Sequence, residues 1–208
     1  ILGEKPFQKS LQYYTRENAY KNVESHDLKK AFEETTGKNL FWFFDQWMYA
    51  PGLPELTINH RYDKAKAGTV ISVEQTQDTT VSSTFQLPFI VLIDDGTVNR
   101  FEGNLIKTKQ EFFFPSKEPL MVVFDEGFQI PKFMKHKKSD RELTYQLFHA
   151  PNVNDRVWAA EEMGKKKTGN KNVKALFHAI KTDEFWGVRK EAAAALSKLK
   201  VRGKELQL

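Results

Sequence analysis

The chain's five histidines are His26, His60, His136, His149 and His178, and no two stand four residues apart. The helical zinc signature His-Glu-x-x-His needs two imidazoles on one helix face and cannot be written anywhere in this sequence. His149 and His178 fall on expected helices with no carboxylate at ligand spacing, and both read as ordinary core or surface residues. His26, beside Asp27, reads as part of a helix-capping turn. Two carboxylate pairs, Asp94-Asp95 and Asp125-Glu126, suit acid–base or calcium chemistry in principle. Each falls where a strand should reverse, and the turn role is preferred. The aromatic run from Phe41 to Tyr49 could line a pocket, but its helical spacing favours core packing, with Asp45 and Gln46 in need of partners. The chain has no cysteine, which excludes disulfides, thiol nucleophiles and Cys-ligated metal centres. No nucleophile elbow, phosphate-cradling glycine loop or dinucleotide fingerprint is present. Composition and spacing thus supply no catalytic, cofactor-binding or metal-ligating residue.

Three kinds of periodicity organise the 208 residues. The segment 1–55 reads as helix. Phe7, Leu11 and Tyr14 form a stripe behind Pro6; Ser25 precedes a second stripe of Leu28, Ala31 and Phe32, which Gly37 closes. A third helix over Leu40 to Tyr49 is apolar nearly all round and should be enclosed by protein. Pro51-Gly52-Leu53-Pro54 then forbids further helix. The segment 56–131 reads as short strands with turns and no helical pattern, the signature of an antiparallel β-sandwich. Asp94-Asp95-Gly96-Thr97 is its clearest turn, and Pro88 belongs at an edge or bulge. The segment 140–208 returns to helix and repeats itself at an offset of 33: Leu143 falls on Leu176, Leu147 on Ile180, Arg156 on Arg189, Ala159-Ala160 on Ala192-Ala193 and Met163 on Leu196. Small residues at fixed places let paired helices approach closely, the packing of a helical solenoid.

Charge is divided along the chain. Residues 1–130 hold 14 Lys+Arg against 18 Asp+Glu, a net of −4, and residues 131–208 hold 18 against 9, a net of +9. A basic tail suits nucleic acid or an acidic partner. Lys outnumbers Arg there, so a solvated face is the preferred reading and nucleic acid is not an expected partner. No apolar run is longer than that from Phe89 to Ile93, which is far too short to span a membrane. Nothing in the sequence assigns a compartment.

Residues 1–56 are similar to one stretch of the aminopeptidase N-type zinc metallopeptidases, the gluzincin aminopeptidases. The matching words are Leu2-Gly3-Glu4-Lys5-Pro6-Phe7, Leu11, Tyr14, Tyr20-Lys21-Asn22, Asp27-Leu28, Phe32-Glu33, Gly37, Trp42-Phe43-Phe44-Asp45-Gln46-Trp47 and Pro51-Gly52-Leu53-Pro54. The resemblance implies a multidomain α and β architecture: the helical tail of a thermolysin-like catalytic domain, then an antiparallel β-sandwich, then α-helical HEAT-like repeats in an incomplete array. It also implies that zinc, the general-base Glu, the Gly-x-Met-Glu-Asn amine-recognition motif and the oxyanion-stabilising Tyr belong to a part of the parent protein upstream of such a segment. None has a counterpart in this sequence.

The resulting expectation is the C-terminal portion of a zinc aminopeptidase-like protein, whose parent releases N-terminal residues from peptides while this chain is structural and inactive alone. Ile1 in place of Met adds the expectation of a longer parent, and two repeats where about three are usually needed imply that the array either leans on the sandwich or continues beyond Leu208 in that parent. The implied partner is the upstream catalytic half, with a peptide substrate in the parent. The alternative is a non-catalytic scaffold of a pseudo-peptidase whose basic repeats bind a protein or acidic partner. If packing partners lie upstream, Phe43, Phe44 and Trp47 should be partly exposed.

Overall fold

Gly3, held at φ 80°, turns the chain into α1 (Glu4–Glu17), with Pro6 in the first turn, where a missing N–H costs nothing. The computed structural model describes residues 1–166 and 170–199, the side chains of 170 and 171 excepted. It divides into two units: Ile1–Leu53 with Gln77–Phe85, and Pro54–Thr76 with Gln86–Leu208. Residues 200–208, the end of the expected repeat segment, lie outside the described residues. Among the described residues, no helix is long and apolar enough to cross a membrane.

In the first unit α1 packs on α2 (Ser25–Thr36). The contact is centred on Ser10, fully buried, whose hydroxyl bonds Pro6 O at 2.8 Å and Thr35 Oγ1 at 2.6 Å. Phe7 and Leu11 of the expected stripe stay partly in solvent, although Phe7 meets Phe32 edge-on. Glu24 and Asp27 form the capping box of α2, and Gly37, left-handed at φ 67°, ends it with its N–H on Glu33 O. The third helix departs from the expected single run. It is α-helical over Phe41–Phe44 (α3) and widens into a π-helical turn over Asp45–Tyr49, so that the Ala50 N–H reaches Asp45 O before Pro51 imposes extended backbone. Nor is it enclosed all round. Phe44 is buried with Phe32 and Leu40, Phe43 and Trp47 are half-buried, and Phe41, Met48 and Tyr49 are exposed. The expectation of partial exposure thus holds for Phe43 and Trp47 and fails for Phe44.

The second unit holds two sheets. One has the order β5-β2-β1-β7, from β1 (Glu55–Asp63), β2 (Gly68–Gln75), β5 (Lys109–Pro115) and β7 (Phe133–His136). The other has the order β4-β3-β6, from β3 (Leu87–Asp94), β4 (Val98–Leu105) and β6 (Met121–Phe124). Aromatic pairs Phe89–Phe112 at 5.0 Å and Phe101–Phe114 at 5.1 Å join one sheet to the other. The strands are not all antiparallel: β7 runs parallel to β1, pairing Glu55 to Ile58 with Phe133 to His136, and carries the sheet past residue 131. Pro88 sits on β3, the middle strand, rather than at an edge. Glu126 N and Leu120 N bond Ile90 O and Asp94 O, so even-numbered residues of β3 face the β6 side. Strand β6 pairs only Val91 to Asp94, and the donor that Pro88 lacks would point where no ladder exists.

Val91, Leu92 and Ile93 are fully buried because the other face of this strand is also covered: Leu92, Met121 and Val123 pack with Ala150 and Tyr145. Four helices complete the unit: α4 (Asp140–His149), α5 (Val153–Lys165), α6 (Asn170–Thr182) and α7 (Trp186–Lys198). They share one core built on Leu143, Leu147, Trp158, Met163, Leu176 and Val188. The 33-residue repeat is visible in its hydrogen bonds. Arg156 Nη1 caps Ala150 O and Pro151 O at 3.1 and 3.3 Å, and Arg189 Nη1 caps Asp183 O and Glu184 O at 2.9 and 2.8 Å. Arg156 also grips Asp183 through Nε and Nη2, tying the first helix pair to the second.

Close approach of α5 to α7 depends on Gly164, where an added Cβ would lie 2.8 Å from both Ala195 Cα and Cβ. Gly164→Val is expected to lower unfolding free energy by about 2 kcal/mol through overpacking, despite the better helix propensity of valine over glycine. Urea denaturation of the variant checks this.

Candidate functional site

Parallel pairing of β1 with β7 brings together two histidines 76 residues apart. His60 Nδ1 and His136 Nε2 are 2.9 Å apart with their rings edge to face, and His60 Nε2 lies 3.3 Å from Glu142 Oε2 on α4. Proton arithmetic assigns the tautomers. A carboxylate only accepts, so His60 Nε2 carries the proton toward Glu142. In the tautomer that places this proton on Nε2 alone, His60 Nδ1 accepts from His136 Nε2–H. His136 Nδ1 is left as a buried lone pair without a partner. Burial first, then the charge of Lys138 and the His60 ring, hold the His136 pKa well below its ordinary value.

Lys138 is the cation of this seam and is itself buried. Its ammonium donates to Val122 O at the start of β6 and to Gln146 Oε1 on α4, lies 3.6 Å from Glu142 Oε1, and sits 5.2 Å from the Trp158 ring centre on α5. Burial lowers the Lys138 pKa, while Glu142, Asp155 and Glu162 act to raise it. Burial works against the Glu142 carboxylate, but the His60 hydrogen bond, Lys138 and the Val122 N–H outweigh it and leave its pKa lowered. Gln146 passes the chain on by donating to Asp155 O at 2.8 Å, and the Asp155 carboxylate accepts the Gly127 N–H. Burial pushes Asp155 up to about 6.

The carboxylate pairs are fully engaged in turns. Asp94 accepts from Gly96 N and from the Tyr145 hydroxyl, which fastens the β3–β4 turn to α4. Asp95 accepts from Lys117 N at 2.7 Å. Asp125, left-handed at φ 54°, accepts from Gln129 N, Ile130 N and Lys132 Nζ. Glu126 takes both prongs of Arg100 at 2.6 and 2.7 Å and the Asn152 amide at 3.0 Å. His26 lies on Asp27 and Glu24 at the start of α2, and His149 stacks on Tyr145.

Two rings and a carboxylate in line could pass a proton, but one end of this relay is closed at the buried Nδ1 of His136, and Glu142 is already held by Lys138 and Val122. Among the described residues, no group of three or more His, Asp or Glu is placed to hold a metal ion, so these residues do not fit a zinc site. A groove of about 700 Å³ runs beside the seam, lined by residues 59–62 of β1, the 118–120 loop and the start of α4. Sequence reasoning weighed each histidine alone, because the spacing of His60, His136 and Glu142 carries no local signal.

Comparison with known proteins supports most of the resemblance read over residues 1–56. Residues 1–47 match the Peptidase family M1 domain. Aminopeptidase N of Escherichia coli (strain K12) is 25% identical over 180 residues, 78% of this chain and 20% of that protein. The puromycin-sensitive aminopeptidase of Caenorhabditis elegans is 28% identical over 118 residues, 54% of this chain and 12% of that protein. The chain thus spans a fifth or less of the length of these relatives. The crystal structure of Legionella pneumophila aminopeptidase A in complex with aspartic acid superposes with a TM-score of 0.74 over 96% of this chain and 24% of that one, a likeness of fold at 16% identity. The first segment thus matches the M1 family, and similarity to its aminopeptidases runs on over 180 residues of the chain.

Two outcomes test the seam. Lys138→Met leaves the buried Glu142 without its cation and should cost about 3 kcal/mol in chemical denaturation, of which a second substitution, Glu142→Gln, should restore about half. The acid response has two opposed parts. His136, with a lowered folded pKa, takes stability away as pH falls below the unfolded value near 6.5. Asp155, with a folded pKa of about 6 against 3.8, adds stability as pH falls through that window. Stability should therefore drop more steeply from pH 7 to pH 5 in Asp155→Asn than in the unsubstituted protein.

Proposed function

We propose that this chain is the C-terminal supporting part of a zinc aminopeptidase-like protein, and that it is structural rather than catalytic. The observation carrying this reading is the match of residues 1–47 to the Peptidase family M1 domain, continued over 180 residues of similarity to Escherichia coli aminopeptidase N. In this reading the two sheets are the β-sandwich, expected over 56–131 and extended to His136 by β7, and the helix pairs α4–α5 and α6–α7 are HEAT-like repeats within 140–208, following a helical end of the catalytic domain (1–55). The parent would release N-terminal residues from peptides with a zinc-activated water, and zinc would belong to the upstream half. The exposed Phe41, Met48 and Tyr49 would serve as the surface on which that half rests. This chain's own contribution would be to brace the catalytic half and to wall its cleft.

The chain should give no turnover of leucine or alanine 7-amido-4-methylcoumarin with zinc added, and should not retain zinc at one equivalent. Turnover with stoichiometric zinc would overturn the reading, as would an upstream reading frame lacking His-Glu-x-x-His and a following Glu within a family M1 fold. A second reading, a scaffold built on a pseudo-peptidase, is favoured by one observation, the net +9 of residues 131–208. An upstream frame that keeps the M1 fold but has lost the zinc ligands would select it.

A further inference from the structure

Strand β7 ends at His136, opposite Ile58, and its last bond to β1 is Lys137 N to Ile58 O at 3.3 Å. Strand β1 runs on to Asp63 with only β2 beside it. The direction of its free groups follows from bonds on either side. Thr76 N bonds Glu55 O on the β2 side, while Phe133 N and Lys137 N bond Pro54 O and Ile58 O on the β7 side. Bonding direction alternates along a strand, so odd-numbered residues of β1 serve β2 and even-numbered ones serve the β7 side. His60 and Tyr62 therefore hold their N–H and C=O groups toward an edge on which no strand lies. The groove of about 700 Å³ follows this edge, with residues 59–62 on one side and Lys137 to Glu142 on the other.

Charge defines what would fill it. Lys138 and Glu142 neutralise each other in the seam. Lys137 and Arg141 are exposed and have no ion-pair partner among the described residues, and Arg61 makes one long exposed contact, 3.4 Å to Asp63. Against these three cations the groove presents Glu118. An exposed edge with paired donors and acceptors accepts an extended chain, and the flanking side chains select its charge.

We propose that the open edge of β1 is a docking site for an extended acidic peptide, bound by strand addition to His60 and Tyr62 and held by Arg61, Lys137 and Arg141. This site is independent of the aminopeptidase reading, since it uses only residues of the second unit. The competing role for these cations is edge protection, in which charge keeps other strands away. Fluorescence anisotropy and ¹⁵N spectra of the 208-residue chain, with acetyl-Glu-Val-Glu-Val-Glu-Val-amide as probe, separate the two. Saturable binding is expected, with the amide signals of His60 and Tyr62 among the most shifted and slower in hydrogen exchange. The double variant Arg61→Glu/Arg141→Glu should bind about tenfold more weakly at an unchanged thermal midpoint. The same peptide N-methylated at alternate residues keeps its charge, loses its donors and should not bind. Absence of saturable binding up to millimolar peptide would mean edge protection and overturn the proposal. Equal binding of the Lys-for-Glu peptide, or undiminished binding of the N-methylated one, would overturn it as well.

Discussion

A buried ammonium has few ways to exist, and the second unit is arranged around one. Lys138 comes two residues after the end of β7, and its charge must be met by oxygen atoms from elsewhere in the fold. Those atoms belong to β6 (Val122 O) and α4 (Gln146 and Glu142), with the Trp158 face of α5 alongside. Strand β6, the entry to α4 and the start of α5 are thereby fixed relative to one another. The His60–His136 pair extends the arrangement to β1, because His60 meets the other carboxylate oxygen of Glu142, Oε2. Such a network gains little net free energy from its charges. Its effect is to exclude other packings, since any shift of α4 along the sheet strands Lys138 or Glu142.

The helices beyond this seam hold together on a different principle. Their core is apolar and their close contacts rely on Gly164 and buried alanines. Arg156 and Arg189 do the same local work one repeat apart, each closing the carbonyl end of the helix before it. Arg156 then reaches Asp183 of the following pair. Arg156 thus both caps its own helix pair and holds the next one.

Relationship to the M1 aminopeptidases sits most firmly on the first unit, where the family match lies. That unit has a small core of Phe32, Leu40 and Phe44 and leaves much aromatic surface uncovered. The second unit is better buried and carries the polar seam. The two units thus differ in how far their own residues close their cores.

Much of this was legible in residue order. The boundary at Pro51–Pro54, the left-handed cap at Gly37, the Asp94–Thr97 turn and the 33-residue repeat all follow from rules that act over a few residues, such as permitted φ, cap chemistry and apolar period. The matching words from Leu2 to Pro54 were equally local. The widened turn at Asp45–Tyr49, the place of Pro88 on a middle strand and the parallel β7 were not legible, because hydrophobic period tells how deeply a strand is buried and not which strand lies beside it. The meeting of His60, His136 and Glu142 likewise hangs on one non-local pairing. The sequence by itself thus determined most of the elements and the resemblance of the first segment to one family. The tertiary structure alone decided which polar side chains would share a buried seam and which stretch of β1 would be left bare, since both depend on where β7 docks and where it stops.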